Sequence, residues 1–323
     1  MTKRIQNQVA ESRFTLPVVS AYALAVWLST GLLIPHVPFT LAELAGGAWV
    51  QFACFVLSAY LMVELNNSNA LIRIYSRTVS ASFLIMSCMA CFLFHSMAGA
   101  IVQLCVIAAY TTIFRTYQNK LAVAWTYYAF LCLGMASTVF PQTLFLTPVW
   151  WLLMRLQLNA LSWRTFWASL LGLLTPYWFA LCLLTYVGNF DYFVSYADAL
   201  TSFQLPYDYT RLTVSQVLVF AFVVALGITG TIHYWRNSSD DKIRIRQLYG
   251  WFIVMAMLCS VWLVAQPQHY DILMRLIIVN TSPLLAHFLS LTHTRITNIA
   301  FYVISTTAVL LTLFSLWMPS LTF

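Results

Sequence analysis

Uncharged apolar runs of about twenty residues recur along the chain from Leu16 onward. A helix needs a run of this length to cross the roughly 30 Å hydrocarbon core of a bilayer. Charged residues make up only 8% of the chain and hydrophobic residues 61%, whereas soluble domains carry about 25% charged residues. The composition therefore excludes a water-soluble domain of this size, and it also excludes a disordered chain.

The runs predict an all-α, polytopic membrane protein with eleven spans in a single integral membrane domain, residues 1–323. Each span is expected to be a helix because lipid offers no hydrogen-bond partner to an open backbone. A β-barrel would need alternating apolar and polar residues, which these runs lack. The predicted spans are 16–35, 48–65, 78–94, 97–114, 121–139, 142–157, 165–187, 213–235, 248–265, 273–292 and 298–317.

Loop charges predict the orientation. With the N-terminus in the cytoplasm, fourteen of the 16 Lys and Arg residues lie inside, and only Arg211 and Arg275 lie outside. The odd number of spans then places the C-terminus outside. In this topology residues 1–15 form a cytoplasmic segment, 188–212 the longest outer loop and 236–247 the longest inner loop.

The sixth predicted span, 142–157, is the shortest and contains Pro148. A re-entrant half-helix is the alternative. If this segment did not cross, the basic residues of the loop 236–247 would lie outside, against the charge rule. We therefore expect a short crossing helix with Arg155 at its inner end.

Soluble-enzyme signatures are absent from the sequence. It contains no G-x-x-x-x-G-K-[ST], G-x-S-x-G or H-E-x-x-H motif. No two of the 6 histidines lie four residues apart, so neither a metal site nor a cofactor is predicted. The basic residues are scattered between apolar runs, which argues against nucleic acid and for membrane lipids as partners.

Acids and aromatic residues lie together in the predicted outer loop 188–212. Asp191 is a candidate catalytic carboxylate, and Asp198 could accept hydrogen bonds from a polyhydroxylated substrate. The rings of Tyr192 and Tyr196 could stack on sugar faces. The alternative is an interfacial aromatic belt beside a solvated acidic loop.

Two further candidates lie near the first spans. Glu43 is the single acid of the first outer loop and could position or deprotonate an acceptor hydroxyl, although a solvated or helix-capping role is the alternative. At the inner end of the second span, Arg73 and Arg77 follow three asparagines and could hold a lipid phosphate. The alternative there is ordinary positive-inside charge.

The tenth span carries polar residues at helical spacing. Asn280, His287 and Thr294 recur every seven residues and are expected on one face, with Pro283 between them. Polar groups at membrane depth normally face protein or a water-filled cavity, so Asn280 and His287 are candidate substrate-binding residues. Interhelical hydrogen bonding, worth about 1 kcal/mol each, is the alternative.

Residues 129–190 resemble an uncharacterised family of multi-pass inner-membrane proteins of Bacteroidota. The matching positions are Gly134, Ala136, Ser137, Phe140 and Pro141, then Trp163, Arg164 and Trp167, then Leu171, Gly172, Leu174, Thr175, Pro176 and Tyr177. The resemblance implies a location in the bacterial inner (cytoplasmic) membrane. It implies no activity.

A weaker resemblance links the same stretch to membrane glycosyltransferases that use polyprenyl-phosphate sugars. It rests on the Gly-x-Ala segment before Pro141, a short helix with Pro148, and the later Leu-x-x-Pro. It implies a lipid-linked sugar donor at the outer face, with Glu43 or Asp191 as the catalytic carboxylate. In this chain the first outer loop is short and lacks an acidic pair.

Three functions are compatible with these features. The first is a non-catalytic scaffold or assembly partner of other envelope proteins in cell-envelope biogenesis, which the low density of intramembrane charge favours. The second is an enzyme of the glycosyltransferase kind acting on a lipid-linked glycan. The third is a transporter or lipid flippase whose path lies along the tenth span.

The predicted orientation can be tested with reporters on the two ends. We expect a periplasm-dependent phosphatase to be active only at the C-terminus and a cytoplasm-dependent fluorescent protein only at the N-terminus, because the charge bias and an odd span count place them on opposite sides. Activity of the same reporter at both ends would contradict the topology.

Overall fold

The structure is a computed structural model that describes residues 5–33, 47–188, 191–202, 209–210, 212–292 and 294–317, without the side chains of Tyr192 and Phe193. The described residues form helices and turns and no β-strand. The α-helices are α1 (Ile5–Glu11), α2 (Thr15–Leu33), α3 (Gly47–Asn69), α4 (Thr78–Met89), α5 (Met97–Ile113), α6 (Val123–Val139), α7 (Leu146–Leu156), α8 (Trp163–Val187), α9 (Asp191–Thr201), α10 (Val214–Asn237), α11 (Ile243–Ala265), α12 (Tyr270–Leu291) and α13 (Arg295–Trp317).

Seven of the described helices are long and apolar enough to cross a membrane: α3, α5, α8, α10, α11, α12 and α13. An eighth is reached if α1 and α2 count as one span, but their axes meet at 88°. The chain thus has the helices of a multi-pass membrane protein, as predicted.

A helix lies over each of the eleven predicted segments, but not every one is long enough to be a span. Helices α4, α6 and α7 have 12, 17 and 11 residues. Hydropathy alone could not show this, because the apolar character continues through 3-10 turns such as Cys91–His95 and Pro141–Phe145.

The predicted loops contain more helix than expected. The inner loop 236–247 shortens to the turn between α10 and α11, because Arg244 and Arg246 belong to α11. Long basic side chains can lie along a helix while their charged heads reach polar surroundings. The predicted outer loop 188–212 contains α9, and the segment 1–15 contains α1.

Contacts divide the chain into two compact units. Unit 1 comprises residues 1–99 and 207–323, and unit 2 comprises residues 100–206.

Helix α12 forms the centre of unit 1. Seventeen of its 22 residues are buried, including polar ones such as Asn280 and Ser282. It packs against α4, α10 and α11. A helix that is apolar around most of its circumference belongs in a protein interior.

Glycines bring α10 and α12 into close contact. A methyl group added at Gly230 would lie 2.8 Å from the carbonyl oxygen of Leu284, and one at Gly227 would lie 3.4 Å from Thr281. Both pairs are separated by 54 residues, so the two helices run parallel in a fixed register. Small residues at such contacts let helix backbones approach closely.

An ion pair lies at the opposite end of α12. Arg275 is buried, and its Nε lies 3.5 Å from Oδ1 of Asp271, one turn away. Its guanidinium also donates to the carbonyl oxygens of Leu93 and Ser96. A methyl group at Gly99 would lie 2.6 Å from both members of the pair, so glycine leaves the space that the pair occupies.

In unit 2 the tightest helix contact joins α6 and α8. A methyl group at Gly172 would lie 2.4 Å from the carbonyl oxygen of Tyr127, and one at Gly134 would lie 2.7 Å from that of Leu173. Ser137 and Tyr177 share a hydrogen bond of 2.6 Å across the same contact. The first and third blocks of the sequence resemblance therefore meet in one helix–helix interface.

Helix α7 runs back along α6. It follows the end of α6, and the residues after it return to the beginning of α6. There the backbone amide of Gln118 donates to the carbonyl oxygen of Leu158 at 2.8 Å, and the hydroxyl of Ser162 donates to the carbonyl oxygen of Lys120 at 2.8 Å. The turn Pro141–Phe145 and α7 together span about 26 Å, as α6 does. The segment 141–158 therefore leads from the end of α6 back to its beginning.

The glycine contact in unit 2 predicts a specific loss of stability. We expect Gly172→Ala to lower the free energy of unfolding by about 1–3 kcal/mol, because the added methyl group overlaps a backbone carbonyl that cannot move freely. The midpoint of thermal unfolding in detergent measures the change. The control is Gly47→Ala, because nothing lies within 4 Å of the added methyl group there. Equal midpoints for the two variants would contradict the close contact.

Candidate functional site at the ends of α10 and α12

A buried aspartate joins an arginine and a histidine in unit 1. Oδ1 of Asp241 accepts from Nε of Arg73 at 2.7 Å, and its Oδ2 lies 3.1 Å from Nε2 of His287. The side chains of Asp241 and His287 have no exposed surface, whereas that of Arg73 is 35% exposed. A buried carboxylate needs partners of this kind, because an unpaired charge in a protein interior is costly.

A second histidine extends this arrangement. Nδ1 of His287 lies 3.3 Å from Nδ1 of His233, and Nε2 of His233 lies 2.7 Å from Nδ2 of Asn237. His233 is half-buried. We call Arg73, Asp241, His287, His233 and Asn237 the histidine–aspartate cluster.

One set of tautomers satisfies every contact in the cluster. An amide nitrogen can only donate, so Nε2 of His233 must accept from Asn237 and its Nδ1 must carry the hydrogen. That hydrogen is then donated to Nδ1 of His287, whose Nε2 hydrogen is donated to Asp241. The hydrogen bonds therefore run in one direction, from Asn237 and His233 of α10 through His287 to the carboxylate of Asp241.

Helix packing places the two histidines side by side. His233 follows Gly230 by three residues and His287 follows Leu284 by three, so the parallel register of α10 and α12 brings the rings together. Their centroids are 5.3 Å apart. Asp241 reaches them from the short turn after α10, just before α11 begins.

The segment between α3 and α4 carries Arg73 to the cluster. Helix α3 is followed by Ala70 in a left-handed conformation, φ 49°, which is uncommon for a residue other than glycine. The amide of Asn66 donates to the carbonyl of Ser76 at 3.0 Å, and the Ser76 hydroxyl donates to that of Ala10 at 2.6 Å. Both bonds hold the end of the segment that contains Ser76.

Two stacked tyrosines surround the buried histidine. The rings of Tyr234 and Tyr249 stack with centroids 4.8 Å apart, and each presents its edge or face to His287 at 5.4 and 5.0 Å. Tyr249 donates weakly to the carbonyl oxygens of Leu71 and Pro283, both at 3.4 Å. The aromatic cage excludes water from the imidazole of His287.

The groups of the cluster are of the kinds that can bind and exchange protons. In the neutral tautomers above, the charges of Arg73 and Asp241 offset each other, and Asp240 adds an exposed acid 3.7 Å from Arg73. No group of three metal-ligating side chains occurs among the described residues. Two imidazoles and a carboxylate in hydrogen-bond contact can accept, pass and release protons.

The structure places only some predicted residues of the tenth span in this site. His287 lies at its centre. Asn280 is fully buried on the same helix, where its amide donates to the carbonyl of Leu276 at 2.7 Å. Thr294 lies beyond the end of α12 and instead caps α13, accepting from the amide of Thr297 at 3.2 Å.

The two predicted lipid-phosphate arginines have different surroundings. Arg73 is engaged by Asp241 within the cluster. Arg77 forms no ion pair among the residues that the structure describes, and its guanidinium donates to the hydroxyl of Tyr75 at 3.1 Å. It therefore keeps its charge available at the surface of unit 1.

The predicted outer-loop residues do not converge on a site among the described residues. Asp191 and Asp198 are exposed on α9. Tyr196 is bonded to Tyr177 and to the backbone carbonyl of Ser137 at 3.1 Å, so its hydroxyl holds α9 within unit 2. Glu43 and the side chain of Tyr192 lie outside the described part of the chain.

Sequence reasoning missed Asp241, His233 and Asn237. An aspartate in a loop with several basic residues is typical of a solvated loop, and His233 appeared isolated. The available signal was the spacing of Gly227, Gly230 and His233, which places two small residues and a histidine on one helix face. Nothing in the sequence indicated which helix that face contacts.

No family model, curated protein or solved structure matches the chain.

The burial of Asp241 predicts a contrast between two neighbouring aspartates. We expect Asp241→Ala to lower the free energy of unfolding by roughly 3–5 kcal/mol, because it leaves Arg73 and His287 without their buried partner. Asp240→Ala should change it by less than about 1 kcal/mol, since that side chain is 64% exposed. Chemical unfolding in detergent measures both. Similar effects of the two variants would contradict the site geometry.

Proposed function

We propose that the protein is a membrane transporter that couples solute movement to protons, with the histidine–aspartate cluster as its proton-binding site. The observation that carries this proposal is the directed chain of hydrogen bonds from the half-buried His233 through the buried His287 to Asp241. Buried ionisable residues of membrane proteins commonly mark ion pathways and proton relays.

The chain of bonds supports proton transfer that leaves the charge of both histidines unchanged. A proton that arrives at Nε2 of His233 displaces the Asn237 amide, and the Nδ1 proton of His233 moves to Nδ1 of His287. The Nε2 proton of His287 then moves to Oδ2 of Asp241, which becomes a neutral carboxylic acid. Both imidazoles end neutral, each in its opposite tautomer.

Protonation of Asp241 would couple the relay to a change of shape. A neutral carboxyl group no longer forms an ion pair with Arg73, so the segment 70–77 loses its charged contact with Asp241. The other titratable groups beside the cluster are Asp240, which lies 3.7 Å from Arg73, and Tyr234 and Tyr249, whose rings contact His287. None of them supplies a second buried negative charge.

The cluster also weakens an argument for a scaffold. The low density of intramembrane charge favoured a non-catalytic role as long as no ionisable partner of His287 was known. In the structure it contacts an acid and another histidine.

A scaffold is nevertheless the second candidate, and the packing of α12 favours it. This helix is buried over most of its length. The side-chain amide of Asn280 donates a hydrogen bond to a backbone carbonyl of the same helix rather than pointing toward a ligand site. A solid centre of this kind suits an assembly partner of other envelope proteins. In that function the cluster would only fasten the helix ends together.

The glycosyltransferase function stays a prediction. Its two candidate carboxylates are Glu43, outside the described residues, and Asp191, exposed on α9.

We further propose that the chain crosses a bacterial inner membrane eleven times and that its N-terminus lies in the cytoplasm. The parallel packing of α10 with α12, and of α6 with α8, supports alternating crossings by the helices between them. In this topology the cluster lies on the cytoplasmic side, near Arg236 and Lys242.

Solute-dependent proton movement tests the proposal. The purified chain is placed in liposomes that contain a pH-sensitive dye. The small molecules of a bacterial lysate, collected as the fraction that passes a dialysis membrane, are added outside under an inward proton gradient. We expect extract-dependent acidification of the interior with the wild type. His287→Gln should abolish it because the relay is broken between His233 and Asp241.

The control is His269→Gln, a histidine at the other end of α12 that lies outside the cluster. It should acidify the interior at the wild-type rate. If His287→Gln elutes as an aggregate, His233→Gln breaks the same relay at the half-buried residue. Acidification that persists in the folded variants, or none with the wild type, would contradict transport, and the second result would favour the scaffold.

A further inference from the structure

A long apolar groove lies on the surface of unit 1 between α2, α3 and α4. Its volume is about 550 Å³, and its walls include Leu24, Phe52, Val56 and Tyr60. Val56 and Tyr60 are 48% and 64% exposed. The groove is separate from the histidine–aspartate cluster.

The groove has one charged end. Arg77 lines it at the start of α4, and Ser80 of α4 donates to the carbonyl of Ala59, which leaves Phe52 toward the other end of the groove. Val63 follows Phe52 by eleven positions, which corresponds to about 16 Å of helix. One leaflet of a bilayer provides about 15 Å of hydrocarbon, half of the roughly 30 Å core.

The guanidinium of Arg77 is suited to a phosphate. It forms no ion pair with an acid among the described residues, and its hydrogen bond to the Tyr75 hydroxyl uses one of its five donors. Tyr75 is itself 69% exposed. Arginine binds phosphate through two parallel hydrogen bonds when its planar group is accessible.

We infer that this groove binds one anionic phospholipid from the adjacent leaflet, with its phosphate on Arg77 and an acyl chain along α3. An apolar channel of leaflet length fits an acyl chain, and the single cation at one end fits a negatively charged headgroup. The small side chains of Ala23, Ala59 and Ser80 leave the space for the chain. This site does not depend on proton transport.

Native mass spectrometry of the full chain in detergent tests the inference. Phosphatidylglycerol and phosphatidylcholine with identical oleoyl-palmitoyl chains are added at equal concentrations. We expect the wild type to retain phosphatidylglycerol preferentially. Arg77→Gln should reduce that preference about fivefold, the factor expected for one basic residue near an anionic lipid, and Arg77→Lys should keep it.

Two further variants separate the contribution of the charge from that of the apolar groove. Ala59→Leu fills the groove and should lower the retention of both lipids. Arg246→Gln removes an exposed arginine of α11 outside the groove and should leave retention unchanged. The inference is overturned if Arg77→Gln keeps the wild-type preference, or if Ala59→Leu retains both lipids as the wild type does.

Discussion

The carboxylate of Asp241 holds together parts of unit 1 that are distant in sequence. It is fully buried, and its oxygens contact Arg73 from the segment after α3 and His287 from the central helix. In an apolar bundle such a charge is tolerated only with its partners in place. The turn between α10 and α11, the segment 70–77 and the end of α12 are therefore fixed relative to one another by one side chain.

The same end of unit 1 contains further polar contacts between separate segments. Gln6 of α1 donates to the carbonyl of Leu289 at 2.7 Å and to the hydroxyl of Thr292 at 2.6 Å. Thr78 and Ser290 share a hydrogen bond of 2.7 Å between α4 and α12. Helix α1 turns by 88° from α2 to make these contacts. The contacts limit how α12 can move, so a conformational change at the cluster must also involve α1 and α4.

Hydropathy was sufficient to place a helix over each long apolar run, because a backbone surrounded by lipid must form its own hydrogen bonds, but it did not predict α1 and α9, which lie in segments expected to be loops. It could not predict where Arg244 would lie, since a basic residue can either end a helix or extend along it; here it donates to Asn69 at 2.9 Å. The cluster was harder still. His233, Asp241 and His287 have no common spacing, and only the packing of α10 on α12 brings them together.

The residues that carry the sequence resemblance illustrate a related limit. Gly134, Ser137, Gly172 and Tyr177 all serve the contact between α6 and α8. Motifs of this kind record how helices fit together, and unrelated activities can share them. The resemblance to membrane glycosyltransferases rests partly on the same packing residues.

The short helices of unit 2 have a consequence for the surrounding lipid. Helix α6, and α7 with its preceding turn, each extend about 26 Å, less than the roughly 30 Å of an average hydrocarbon core. A bilayer that meets them at full thickness suffers hydrophobic mismatch, which is relieved by local thinning at a modest cost per ångström. If these two segments cross the membrane as proposed above, the lipid beside them is compressed, whereas α8 of the same unit, with 25 residues, is long enough for a bilayer of full thickness.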